Sequence, residues 1–192
     1  MRKVSFKSIM LALGALSLVV VGCKKDAVNP ADDHEHNDGE LITTLELKFS
    51  GKGVVNNDTT FVVTFDDPDG DGGNAPIKLD QINLLKNTDY SVELTLLDKS
   101  KTPYDTISNE VLEEADDHLL FYSSNPVNLL NITITDKDSK NRNLGLLSNW
   151  RTNTAVGSGK VKVKLMHQPG VKDGKSEVGD TDVEVEFPVV IK

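Results

Sequence analysis

Three carboxylates at alternate positions open the run Asp67-Pro-Asp69-Gly-Asp71-Gly72-Gly73-Asn74. Carboxylates at positions one, three and five with Gly at six match the start of a calcium loop, where hard oxygens wrap the cation and Gly makes the sharp turn. Position twelve, the bidentate Glu of an EF-hand, is Lys78 here, so an EF-hand is excluded. The expectation is a partial calcium site at Asp67, Asp69 and Asp71, completed by Asp66 or a backbone carbonyl. The competing expectation is a solvated Asp/Gly turn. Asp136-Lys-Asp138-Ser-Lys140-Asn141 begins in the same way, but Lys140 fills the fifth position and the run reads as a plain turn. A second donor set is His34-Glu-His36, beside Asp32, Asp33 and Asp38. Residues two apart point the same way in an extended chain, so both imidazoles could share one zinc, copper or nickel ion. His118 and His167 flank strand-like segments and read as structural histidines satisfied by their neighbours. Catalytic motifs fail. Gly157-Ser-Gly159-Lys160 lacks the first glycine and the Ser or Thr of a phosphate loop, and it precedes a strand. No G-x-S-x-G elbow occurs. No enzyme is expected; the remaining enzymatic alternative is glycan cleavage by paired carboxylates.

Cys23 is the single cysteine. Arg2, Lys3 and Lys7 come first, then an apolar stretch from Ile9 to Val21, then Gly22-Cys23. A basic start and a short apolar run define a secretory signal, and the run is well short of the roughly 20 residues needed to span a bilayer. The junction resembles the lipobox of bacterial lipoprotein signals. That resemblance implies cleavage before Cys23 and acylation of its thiol and new amino terminus, with palmitate-like chains. At about 0.8 kcal/mol per buried CH₂, such chains hold a protein on a membrane firmly. Acylation would also use up the only thiol and leave no disulfide. Loss of residues 1–22 moves the net charge from −9 to −12. A chain this acidic repels nucleic acid and anionic headgroups, so no nucleic-acid partner is expected.

Donor sets need elements to hold them. Residues 23–40 are acidic and polar, too poor in apolar groups to offset the cost of ordering. They read as a tether of roughly 55 Å at full extension and about 20–25 Å on average. From residue 41 to residue 192 the period is two. Leu45, Leu47 and Phe49 alternate with polar residues, as do Phe61, Val63 and Phe65; Tyr90 to Leu96; Leu130 to Ile134; Val161 to Leu165; and Val183 to Ile191. Gln81–Leu85, His118–Tyr122 and Leu146–Arg151 are weaker strand signals. About Thr106–Asp116, Ile107, Val111, Leu112 and Ala115 recur at helical spacing. The expected fold is all-β, an antiparallel immunoglobulin-like β-sandwich of seven to nine strands. Pro188 cannot donate to a ladder, so its strand should be an edge or carry a bulge there.

From Glu40 onward the chain is similar to an uncharacterised lipoprotein family of Bacteroidota. The residues that carry the resemblance are Gly39 to Thr44, the Asp67–Gly73 loop, Asn87 to Tyr90, Glu113 to His118, His167 to Gly170 and Gly179 to Val185. Members carry the label "type 1 periplasmic binding fold superfamily". The label implies a two-lobed α/β binder, at odds with the β periodicity here. The resemblance implies a protein anchored to the outer membrane, acting as an accessory partner of a TonB-dependent receptor. The leading expectation is a non-enzymatic, membrane-anchored binding module stabilised by calcium. The alternative is a lipoprotein that captures zinc or copper with His34 and His36 and feeds a receptor.

Overall fold

Strands form where apolar and polar residues alternate, because a half-buried strand sends every second side chain into the core. In chain order they are β1 (Thr44–Lys52), β2 (Asp58–Asp66), β3 (Lys78–Leu79), β4 (Ile82–Leu84) and β5 (Asp89–Leu97), then β6 (His118–Asn125), β7 (Leu130–Ile134), β8 (Leu147–Thr152), β9 (Gly157–His167) and β10 (Asp180–Ile191). One helix, α1 (Ile107–Glu113), lies between β5 and β6. The structure is a computed structural model and describes residues 41–52, 58–70 and 72–192. Cys23, His34, His36 and Asp71 lie outside the described residues, so the expectations placed on them, acylation and the tether included, stand where the sequence left them.

The strands make two sheets, one of six strands in the order β3-β2-β1-β5-β8-β7 and one of four in the order β4-β10-β9-β6. Their apolar faces form one β-sandwich-like core. Phe49, Val92, Leu94 and Trp150 come from the larger sheet, and Leu120, Val163, Leu165 and Phe187 from the smaller. Trp150 sits edge-on to Phe49, with ring centroids 5.2 Å apart, and to Tyr122 at 5.9 Å. Its indole N–H donates to Ser148 Oγ at 2.9 Å, so the largest buried side chain leaves no orphan donor.

Three expectations need correction. Ten strands are present among the described residues rather than seven to nine. The extra one is β3, whose two residues are too short for alternation to be read, whereas β4 falls within the weaker signal at Gln81–Leu85. The sandwich is not wholly antiparallel, because β4 runs parallel to β10. The strand of Pro188 is also not simply an edge. β10 pairs with β9 along its length and gains β4 as a second neighbour from Val189 onward. Pro188 is thus the last residue before both sides need a donor. The bulge falls elsewhere, between Thr181 and Val183. The helical segment is confirmed but short. Ile107 and Val111, one turn apart, are its buried residues, and Ser108 Oγ accepts from the Leu96 N–H at 2.8 Å, fixing α1 to β5.

Candidate metal centre

The acidic turn is folded upon itself. Asp69 Oδ2 accepts from the Asn74 backbone N–H (2.7 Å) and from Asn74 Nδ2 (2.8 Å), and these bonds hold its carboxyl below the usual range. Asp66 Oδ1 accepts from the Thr44 hydroxyl at 3.1 Å. Asp67 is buried, its N–H donating to the Thr43 carbonyl at 2.8 Å. Of the three expected calcium ligands, the Asp67 and Asp69 side chains interact with each other and Asp71 lies outside the described residues, so the calcium expectation stands where the sequence left it.

The donor set that does converge among the described residues is Glu114, His118 and His167. Period two places it. In β9, Val161, Val163, Leu165 and His167 share the inner face; in β6, His118, Leu120 and Tyr122 do. His118 is the register partner of His167. Their rings stack with centroids 4.7 Å apart and planes 13° from parallel. Glu114 is the C-cap of α1, four residues before His118. One donor atom from each of the three lies within 4.8 Å of the others. Donors around a tetrahedral zinc ion are about 3.3 Å apart, so side-chain adjustments of about an ångström would close the set.

The electrostatics suit a ligand histidine. His118 is buried, and burial pushes its pKa down despite the opposing Glu114 carbonyl, so the ring is neutral at pH 7. His118 Nδ1 faces the Glu114 backbone oxygen at 3.2 Å. A carbonyl only accepts, so Nδ1 carries the proton and Nε2 keeps its lone pair. Acidic groups surround the site: Asp117 acts on His118, and Asp180 is the register partner of His167. Their combined field favours a cation.

A buried ion network braces the segment between Glu114 and His118. The Lys172 side chain is fully buried, its ammonium 3.0 Å from Asp138 Oδ2 and donating to the Ala115 carbonyl at 2.8 Å. Arg142 Nε donates to Asp138 Oδ2 at 2.7 Å, and its other nitrogens donate to the Lys172 and Asp116 carbonyls at 2.6 and 2.8 Å. Burial alone would raise the Asp138 carboxyl; the bonds from Arg142 and Lys172 outweigh it and hold the group well below the usual range. The plain turn read at Asp136–Asn141 is thus an anchor, with a lysine ammonium lodged against its central aspartate. Gln168 extends the brace, donating from Nε2 to the Lys175 and Val178 carbonyls, while its N–H donates to the Asp117 carbonyl at 2.6 Å.

The sequence reads His118 and His167 as separate structural histidines; the structure pairs them in register and stacks their rings. A signal is available at His167, which continues the alternation of Val161, Val163 and Leu165 to an inward-facing position where a titratable group needs a reason; the run at His118 carries no such alternation. Which strands would be neighbours was not available. Elsewhere, a groove of about 410 Å³ on the larger sheet is lined by Ser50, Thr60, Ser91 and Asn149 with one carboxylate, Asp89, and the adjoining groove also has one, Glu93. Neither presents the acid pair that glycan cleavage requires. No family model matches the chain, and neither a curated protein nor a solved structure matches it significantly.

Proposed function

We propose that this chain is a non-catalytic, envelope-anchored lipoprotein that binds a transition-metal ion, with Glu114, His118 and His167 as ligands. The observation that carries the proposal is the convergence of two imidazoles and a carboxylate on one point, with one imidazole neutral and its tautomer set by a backbone carbonyl. Imidazole and carboxylate together suit zinc, copper or nickel. The lipobox-like junction at Cys23 supports anchorage to the outer membrane, and the polar stretch after it supports a tether. The family resemblance supports service to a TonB-dependent receptor. The immunoglobulin-like type of sandwich belongs to the same proposal. His34 and His36 would be a collecting arm for the same metal. A calcium ion at the Asp67–Asp71 loop would be a separate, stabilising site, with the Asp67 and Asp69 side chains already in contact.

The test is zinc affinity of the acylated full chain in detergent, measured by competition with a chelating dye. His118→Ala and His167→Ala should each weaken binding at least 100-fold, and deletion of residues 32–38 should leave the sandwich site intact. Wild-type affinity in both histidine variants would overturn the proposal. Loss of binding only on the deletion would assign the metal to the tether.

A further inference from the structure

A polar trench crosses the outer face of the larger sheet. Period two sends Thr60 of β2, Ser50 of β1, Ser91 of β5 and Asn149 of β8 outward, and all four are exposed. Strand register sets them side by side: Thr60 faces Ser50, Ser50 faces Ser91, and Ser91 faces Asn149. The flanking rows are taller. Lys48, Glu93 and Leu147 stand on one side, and Lys52, Asp89 and Arg151 on the other. Short side chains between taller rows leave two adjoining grooves of about 410 and 380 Å³, which share Ser50, Ser91 and Asn149. Among the described residues no group bonds to the side chains of the four floor residues. Asn is depleted in strands, yet Asn149 lies mid-strand in β8, between β5 and β7, and its amide has no partner there to offset the cost. The walls are nearly neutral, because Lys48 pairs with Glu93 at 3.5 Å and Arg151 with Asp89 at 3.4 Å.

We propose that this trench binds a neutral glycan chain laid across the strands. A sugar hydroxyl both donates and accepts, and so does each floor group: the Ser and Thr hydroxyls do both, and the Asn149 amide offers two donors and an acceptor. Strands about 4.8 Å apart make the four-residue floor about 14 Å long, room for about three sugar rings. Val62 and Leu147, exposed at the two ends of the Lys48–Glu93 row, offer apolar surface to the ring faces. Walls of paired charge favour an uncharged ligand over a phosphate or sulfate, and the floor has no apolar anchor for a protein partner. Asp89 and Glu93 stand four residues apart on β5, about 13 Å, beyond the roughly 10 Å at which two carboxylates cleave a glycosidic bond. The trench therefore holds its ligand without cutting it. It shares no residue with Glu114, His118 and His167 and is independent of the metal reading.

The experiment titrates the acylated full chain, in a detergent without a sugar headgroup, with neutral tetrasaccharides from a glucan, a xylan, a mannan and a galactan. Calorimetry should give at least one of them a Kd below about 1 mM. Asn149→Ala and Ser91→Ala should each weaken that ligand about 2- to 10-fold, the worth of one hydrogen bond. Ser91→Arg, which fills the trench, should abolish binding. Zinc affinity should not change in any of the three variants, and the melting temperature should stay within about 2 °C, because these exposed side chains bond to nothing in the fold. Failure of all four tetrasaccharides to bind would overturn the proposal, as would wild-type affinity in Ser91→Arg. Tighter binding of a sulfated or uronic-acid tetrasaccharide than of every neutral one would overturn the neutral class of ligand.

Discussion

Lys172→Met removes a fully buried ammonium from the network that braces the candidate centre. The loss has two parts. The ion pair to Asp138 at 3.0 Å disappears, and the Ala115 carbonyl loses its 2.8 Å donor. Breaking a buried pair by removing one partner typically costs about 3–5 kcal/mol. Asp138 keeps Arg142 Nε at 2.7 Å and the Arg142 and Lys140 N–H groups at 2.8 and 2.9 Å. The burial penalty that lowers the Lys172 pKa is also relieved. These two offsets put the net cost near the low end, about 3 kcal/mol, or a fall of about 6–12 °C in melting temperature for a domain of this size. Thermal and urea melts would read it. The difference should survive high salt, because buried pairs are poorly screened. The wild type has a second signature. The folded pKa of Asp138 is lowered, so its contribution is present above the ordinary value of 3.8 and is lost as pH falls through the folded value. A cost below about 1 kcal/mol at neutral pH would refute the view that this network braces the segment from Glu114 to His118.

Two further outcomes follow from the same region. The folded pKa of Asp182 is raised from 3.8 to about 6, so the stability it contributes is present below 3.8 and lost as pH rises through 6. The rise corresponds to about 3 kcal/mol at full burial, and solvent on the open side reduces this to about 2 kcal/mol. Metal-free Asp182→Asn should therefore match or exceed wild type in stability at pH 7–8, with the gap shrinking toward pH 4; melts across that range check it. Gly179 has φ +84°, and a Cβ there would collide with the His167 carbonyl oxygen. Gly179→Ala should cost about 2 kcal/mol or more and weaken zinc binding by displacing His167, as paired melts and dye competition would show.

The larger features of the fold were legible because they are local. Period-two alternation marks β1, β2, β5, β7, β9 and β10, since a strand between core and water carries its environment in its own residues. Strand β3 is illegible for the converse reason: two residues held by a neighbour carry no period of their own. The parallel seat of β4 against Val189–Ile191 is a matter of which chain segments meet. The candidate site divides in the same way. The acidic run at Asp67 is conspicuous in sequence, yet in space Asp69 is engaged by Asn74 five residues away. Glu114 and His118 are close in sequence, but His167 is far from both and reaches them only because β6 pairs with β9 in the register that sets His118 against His167.

By itself the sequence determined the β class, the acidic charge, the lone thiol at Cys23 and the polar stretch after it, because each is a property of composition or of neighbouring residues. Only the tertiary structure decided which carboxylates and imidazoles share a point in space. Strand register brings residues distant in the chain together, and the low-dielectric core then sets their protonation.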